Sequence, residues 1–462
     1  MRLSQLEGRR VALWGFGLEG RALWRALRGR FPDQRLTVFC PDQEQAALAA
    51  LGDPLLDVRG PPTLDELRGH EVIVKSPGIS PYRPPADAAR AAGLCFTSGT
   101  ALWFAENLPG RRLCVTGTKG KSTTTALIAH LLRAGGIRTA LAGNIGLPLM
   151  ALIDPPEPPA VWAIELSSYQ AGDALRPDVA MVLNLFPEHL DWHGSEQRYI
   201  DDKLALITRA QPRRVVLNWL DPRLRELGEG LPGCHWIGRE DGWHLRGEAV
   251  HRGDQCVLTT APPALRGRHN AFNLCAALAA IEALALDATG EDAGALAVHA
   301  ADFKPLPHRL QWLGRRDGID YIDDSIATTP HASLAALDSL AGRRIAIIVG
   351  GFDRGLDWTA FAERAARDGL AAIVSSGQNG PRIHALLQAQ HLAPGIELIA
   401  ARNLVDAVPR ARQAVGTGGV VLLSPGAPSF PDYRDYAHRG RHFAELAAFD
   451  PTASDISGLG IA

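Results

Sequence analysis

Seven residues, Gly117-Thr118-Lys119-Gly120-Lys121-Ser122-Thr123, bring together a pliable backbone, an ammonium group and neighbouring hydroxyls. That set suits a phosphate. Glycines let backbone N–H groups turn inward, a following helix adds partial positive charge at its N-terminus, and Lys121 neutralises the anion. The Ser122 or Thr123 hydroxyl can ligate Mg²⁺. Only two residues separate Gly117 from Gly120, whereas the common pattern has four before its Gly-Lys pair, so this is a shortened loop. Other candidates lie downstream. Glu165 sits in an apolar run, where an unpaired carboxylate is costly, and it offers the oxygen that Mg²⁺ prefers. His189 carries an imidazole, with a structural or surface role as the alternative to ligation. Lys203 falls in a helical pattern over 199–210, where a solvated helix face is the ordinary reading. Asn270 and Asn273, three apart, share one helical face. They read either as capping groups or as amides that meet an adenine edge.

These side chains need strands and helices to hold them. Leu113–Val115 predicts a strand into the phosphate loop, and a helix opens at Ser122 and runs to Gly135-Gly136. Strands are expected at 137–142, 161–166, 178–185 and 214–218. Asn144 follows the first, Glu165 ends the second, and Asn184 lies near the end of the third. The alternating stretch 234–258 reads as a small insert or an edge sheet. Polar groups at strand C-terminal ends, in one sheet with a phosphate loop, mark a ligand site in a doubly wound fold.

The chain begins with a similar pattern. A strand at 10–14 leads into Gly15-Phe16-Gly17-Leu18-Glu19-Gly20, then a helix, then a strand at 36–40 with Asp42 just beyond it. That is a dinucleotide fingerprint, although the same loop holds other nucleotide diphosphates. A strand at 71–75 ends in Ser76-Pro77-Gly78-Ile79, which reads equally as a ligand loop and as an ordinary Pro-Gly turn. A linker is expected at Leu108-Pro109-Gly110. The last part starts near Lys304, with strands at 319–322, 344–349, 371–375, 396–400 and 419–423. Thr329-Pro330 marks a helix start. Asp323-Asp324-Ser325, Gly350-Gly351 and Ser424-Pro425-Gly426 again fall at strand ends.

Composition sets the bounds. The chain has 462 residues, 46% apolar and 21% charged, with net charge −2. That suits about three globular domains and gives nucleic acid no electrostatic foothold. No run of eighteen apolar residues predicts a membrane span, and the first residues lack an apolar signal core, so a cytoplasmic location is expected. The cysteines, including Cys40, Cys114 and Cys275 in apolar patterns, read as buried free thiols.

The motif order resembles the Mur ligases, the muramyl-peptide ligases of bacterial cell-wall synthesis. The resemblance runs through G-T-K-G-K-S-T, G-N-I-G, E-L-S-S-Y-Q, E-H-L-D-W-H, Lys203, R-H-N-A-F-N, P-H-R, D-D-S-I-A-T-T and L-L-S-P-G-A-P-S-F. It implies an α/β protein of three domains: a Rossmann-like domain over 1–108, a P-loop ATPase domain over 109–304 and a Rossmann-like domain over 305–462. It implies further that ATP phosphorylates the carboxylate of UDP-N-acetylmuramoyl-alanine and that an amino acid's amine then attacks the acyl phosphate. Gly15, Phe16, Gly17, Leu18, Ser76, Gly78, Asn144 and His189 would meet the sugar nucleotide. Gly117–Thr123, Asn270, Arg309 and Asp324 would meet ATP. Two Mg²⁺ ions would be held by Ser122 and Glu165, and by His189 and a carbamylated Lys203, with Lys121, His189 and Lys203 as the catalytic set. Thr328, Arg354, Ser424 and Phe430 would meet glutamate.

Within that family the chain is most similar to the glutamate-adding enzymes. The D-glutamate enzymes carry a lysine where Ile326 stands, and S-P-A-C-A-S-F where S-P-G-A-P-S-F stands here. Losing a cation that pairs a side-chain carboxylate alters recognition strongly. The expectation is therefore L-glutamate, with D-glutamate as the alternative and an NAD-dependent oxidoreductase as a more distant one. A monomer is expected.

Overall fold

The computed structural model describes residues 1–262, 265, 267–285, 293–304, 306–353, 355–429, 431–451 and 458–462. Two compact units form: Met1–Phe303 with Gly458–Ala462, and Lys304–Ser457.

The first unit holds two sheets. The N-terminal one contains β1 (Val11–Trp14), β2 (Leu36–Phe39), β3 (Leu56–Arg59), β4 (Val72–Lys75) and β5 (Phe96–Thr97), all parallel, in the order β3-β2-β1-β4-β5. Both faces are covered. Val11 and Leu13 pack into one apolar layer, Ala12 and Trp14 into the other, which is why β1 lacks a polar face. Strand order reverses between β1 and β4, so the loops after them flank the switch point where such sheets bind ligands.

The second sheet runs through β6 (Arg111–Thr116), β7 (Thr139–Gly143), β8 (Val161–Glu165), β9 (Val179–Val182) and β10 (Arg214–Asn218). It continues through β11 (His235–Ile237), β12 (Trp243–Arg246), β13 (Ala249–Arg252) and β14 (Gln255–Leu258), in the order β14-β13-β12-β11-β10-β9-β6-β8-β7. Of the two readings for 234–258, the edge of the main sheet is the one realised. The helix Lys121–Ala134 follows β6, one residue earlier than expected, and Arg268–Leu284 packs beside it.

The second unit carries β15 (Gln311–Arg316), β16 (Ile319–Asp323), β17 (Ile345–Val349), β18 (Ala372–Ser375), β19 (Glu397–Ala400) and β20 (Val420–Leu423). Their order is β15-β16-β20-β17-β18-β19. All neighbours are parallel except β15 with β16. Thr329 caps the helix Pro330–Ser339 by accepting from the Ala332 N–H, with Pro330 in its first turn, as the sequence predicts.

The chain end departs from the sequence-based division. β21 (Gly460–Ile461) pairs antiparallel with β7, so residues 458–462 belong to the first unit and not with residues 304–457. Two residues give too little pattern to be read as a strand. Among the described residues Cys40, Cys114 and Cys275 are buried free thiols, as expected, while Cys95 and Cys256 are exposed.

Candidate functional site

The phosphate loop is built by positive backbone angles. Gly117 has φ +150° and Gly120 +85°. A Cβ on Gly120 would stand 2.6 Å from Asn273 Oδ1, so glycine is needed for space as well as for conformation. The loop is held from β9. Asn184 Oδ1 accepts from the N–H groups of Thr118 (3.1 Å) and Lys119 (2.8 Å), and its amide donates back to the Lys119 carbonyl (3.0 Å). Tyr199 meets the Thr118 hydroxyl at 2.6 Å. Lys121 Nζ donates to the Thr118 carbonyl at 2.9 Å, at the mouth of the loop, and Ser122 and Thr123 open the helix beside it. Lys119 pairs with Glu188.

Glu165 and Lys203 converge on this loop. Glu165 is 1% exposed; Oε1 accepts from Asn144 Nδ2 at 3.0 Å, while Oε2 has no hydrogen-bond partner among the described residues. A buried carboxylate oxygen left open in this way suits a cation. No three His, Cys, Asp or Glu side chains cluster as a metal set among the described residues, so an ion here would draw further ligands from hydroxyl, phosphate and water. Lys203 corrects the solvated-face reading. It is 2% exposed and donates from Nζ to the Gly117 carbonyl at 2.9 Å. Burial first, then the charge of Lys121, pushes its ammonium well below the usual lysine range, against the pull of Glu188 and Glu165. The helix Glu196–Thr208 turns it inward because Tyr199, Lys203, Leu206 and Ile207 share the packed face.

His189 has φ +54° and caps the short helix Leu190–His193; it is exposed, with the Tyr169 ring edge-on at 5.4 Å. Asn270 lies in the first turn of Arg268–Leu284 and is approached by Asn273 Nδ2 at 3.4 Å. The capping reading fails: Gly267 is the cap, and no side chain bonds there. Instead the buried Asn273 faces Gly120 across the phosphate loop.

At the first sheet's switch point, Gly15 has φ +91° and a Cβ there would press on Ser76, whose hydroxyl donates to the Gly15 carbonyl at 3.0 Å. Phe16 turns into the core, while Gly17 caps the helix Leu18–Arg30 with Leu18 exposed. Gly78 lies in the loop beyond Ser76, and Asp42 is exposed at a helix start. The loops after β1 and β4 thus meet at the switch point.

In the second unit, Asp324 is buried at the end of β16. It accepts from Ser424 Oγ at 2.7 Å and from the Leu310 N–H at 3.2 Å. Burial raises its carboxyl to about 7, against the Ser424 bond and the Arg309 charge that hold it down. Arg309 is therefore within electrostatic reach of Asp324. Thr328 is half-buried one residue before the Thr329 cap. Arg354 and Phe430 lie outside the described residues. His308 pairs with Asp323 at 2.6 Å, and the buried Arg439 binds the carbonyls of Ser325, Ala427 and Pro428. That arginine fixes the loops after β16 and β20.

Several residues escaped the sequence reading: Tyr199, Lys75, Trp192, His193 and Asp202. Trp192 and His193 stood in the quoted E-H-L-D-W-H motif, and Asp202 adjoins Lys203, but neither neighbour indicates a bonding partner.

A model of the Mur ligase middle domain matches residues 115–281, and one of the Mur ligase glutamate ligase domain matches 308–426. A protein of Xanthomonas campestris pv. campestris (strain 8004), named UDP-N-acetylmuramoyl-L-alanine–L-glutamate ligase, is 58% identical over all of both chains. One of the same name from Xylella fastidiosa (strain 9a5c) is 57% identical, again over all of both. Among solved structures, UDP-N-acetylmuramate-alanine ligase MurC from Thermotoga maritima superposes with TM-score 0.60 at 19% identity, covering 95% of this chain and 99% of that one. MurF ligase from Thermotoga maritima, in complex with ADP, gives 0.56 at 17% identity over 89% and 94%. The last two speak to the fold alone.

Proposed function

The chain belongs to the Mur ligase family, and on that premise we propose that it is an ATP-dependent ligase joining L-glutamate to UDP-N-acetylmuramoyl-L-alanine, a step of peptidoglycan precursor synthesis. The observation that carries this is identity of 58% over the full length of a relative bearing that name. The chemistry has two steps. The alanyl carboxylate takes the γ-phosphoryl group of ATP, giving an acyl phosphate and ADP. The glutamate amine then attacks the acyl carbon; phosphate leaves, a proton is lost and an amide forms.

In this reading the residues that hold ATP are the loop 117–123, Asn270, Arg309 and Asp324. Lys121 neutralises charge on the transferring phosphoryl. Gly15, Phe16, Gly17, Leu18, Ser76, Gly78 and Asn144 hold the sugar nucleotide, and Thr328 and Ser424, with Arg354 and Phe430, take glutamate. Two Mg²⁺ ions, one by Ser122 and Glu165 and one by His189 and Lys203, would supply further charge neutralisation. The open Oε2 of Glu165 favours that assignment. So does the depressed Lys203 amine. A neutral amine adds CO₂ and releases a proton to become a carbamate, an anionic oxygen ligand in place of an ammonium. The three functional divisions are 1–108, 109–304 and 305–457, acting in a cytoplasmic monomer.

The choice of L-glutamate rests on the names of the relatives and on Ile326, which stands where the D-glutamate enzymes have lysine. Phosphate release with ATP, Mg²⁺ and UDP-N-acetylmuramoyl-L-alanine, run separately with L- and D-glutamate, tests it. Turnover is expected with L-glutamate. Turnover with D-glutamate alone would reverse the stereochemical assignment, and release with neither would sink the ligase.

A further inference from the structure

Between the loops at the first sheet's switch point and the phosphate loop lies a set of side chains to which the reaction above assigns no part. Trp192 is at its centre. The indole N–H donates to the carbonyls of both Pro77 and Gly78, at 3.2 Å each, in the loop after β4. From the same loop, the Ser80 hydroxyl donates to the Trp192 carbonyl at 2.6 Å. The indole ring lies on Tyr169, with centroids 4.3 Å apart and planes 25° from parallel, and Tyr169 in turn meets His189. The Lys75 ammonium stands 5.6 Å from the indole centroid.

A second connection runs alongside. Tyr82 OH donates to Asp202, whose Oδ2 bonds His193 Nδ1 at 2.9 Å; His193 Nε2 meets Ser168 Oγ at 3.0 Å. His193 is wholly buried. The two connections join four pieces of chain: the loop 76–82, the loop behind Glu165, the short helix capped by His189, and the helix of Lys203. Each piece holds or directly adjoins a residue assigned above to substrate or cation, and flexible loops reach reactive geometry only when something fixes them.

We propose that Trp192 is a positioning residue for the sugar nucleotide, its N–H fixing the Pro77 and Gly78 carbonyls and its ring tying that loop to Tyr169 and His189. This rests on the ligase reading. Trp192 touches neither substrate in it and acts through the loop. The distinguishing consequence is selectivity. Disturbing Trp192 releases the loop after β4 and leaves the phosphate loop intact, because Asn184, outside this network, holds the latter through the Thr118 and Lys119 N–H groups.

Trp192→Phe keeps an aromatic ring for Tyr169 and removes the N–H. Titration calorimetry with UDP-N-acetylmuramoyl-L-alanine, together with steady-state kinetics, reads the result. The expected outcome is about a tenfold rise in Kd and KM for the sugar nucleotide, from two carbonyls losing a shared donor. The KM for ATP should stay within about twofold, and Trp192→Ala should show a larger rise. Equal binding by wild type and Trp192→Phe overturns the proposal. A parallel rise in both KM values overturns it too, as that is what general loosening gives. Should Trp192→Phe fold poorly, as read by its melting midpoint, Tyr82→Phe gives the second test, with the same selective rise expected and an unchanged or parallel response again overturning. A wild-type chain that binds no sugar nucleotide sinks the ligase reading itself, a failure distinct from equal binding by both.

Discussion

Asp324 stands at the end of β16 with its carboxyl enclosed, and enclosure makes its charge expensive. Its folded-state value of about 7 lies above the ordinary 3.8. The folded chain therefore keeps a proton that the unfolded chain gives up. The resulting stabilisation is complete below about pH 4 and is lost as pH rises through about 7. Asp324→Asn removes the titration. Its melting midpoint should vary less between pH 5 and 8 than that of the wild type, which should fall over that window. Differential scanning fluorimetry across pH checks this, and parallel curves for the two would rule it out. Lys203 shows the opposite sign by the same cause: burial pushes an ammonium down, whereas it pushes a carboxyl up.

The first fingerprint shows why its glycines are not equivalent at the level of the strand–loop–helix unit. A Cβ on Gly20 would overlap the Gly15 carbonyl oxygen, because the helix Leu18–Arg30 packs its first turn against the strand it follows. Gly17 has ordinary φ and open space around it. Gly20→Ala is expected to destabilise by about 1–3 kcal/mol through forced displacement of the helix start. Gly17→Ala should leave folding stability nearly unchanged, and any effect should appear in binding. Urea denaturation of both variants separates the cases; equal losses would contradict this account.

For the whole molecule, the unexpected feature is the return of the chain end to the second sheet. Thr139 and Ala462 exchange backbone hydrogen bonds, and Arg133 donates to the carbonyls of Gly458 and Gly460. The terminus thus covers the outer edge of β7, which an open sheet would otherwise expose. Removing residues 458–462 should speed hydrogen exchange over Thr139–Gly143 and lower the stability of the first unit by about 1–3 kcal/mol. Exchange within β16, β17 and β20 should be unaffected. Equal loss of protection in both units would show that the terminus does more than cover an edge.

Sequence alone determined the elements with a strong local signal. Apolar runs gave the buried parallel strands, because a strand covered on both faces has no polar side to reveal. Gly15–Gly20 and Gly117–Thr123 announced their loops, since positive φ and close approach admit little but glycine. Glu165 stood out as a carboxylate in an apolar strand. Tertiary structure decided what depends on distant neighbours. Nothing local distinguishes Lys203 from a solvated lysine; its burial follows from the helix face that packs inward. Asn270 and Asn273 read as caps until the helix start fell at Gly267. Trp192 and Asp202 gained partners 115 and 120 residues away along the chain, in the loop after β4. β21 has two residues and no pattern, and only the free edge of β7 makes it a strand.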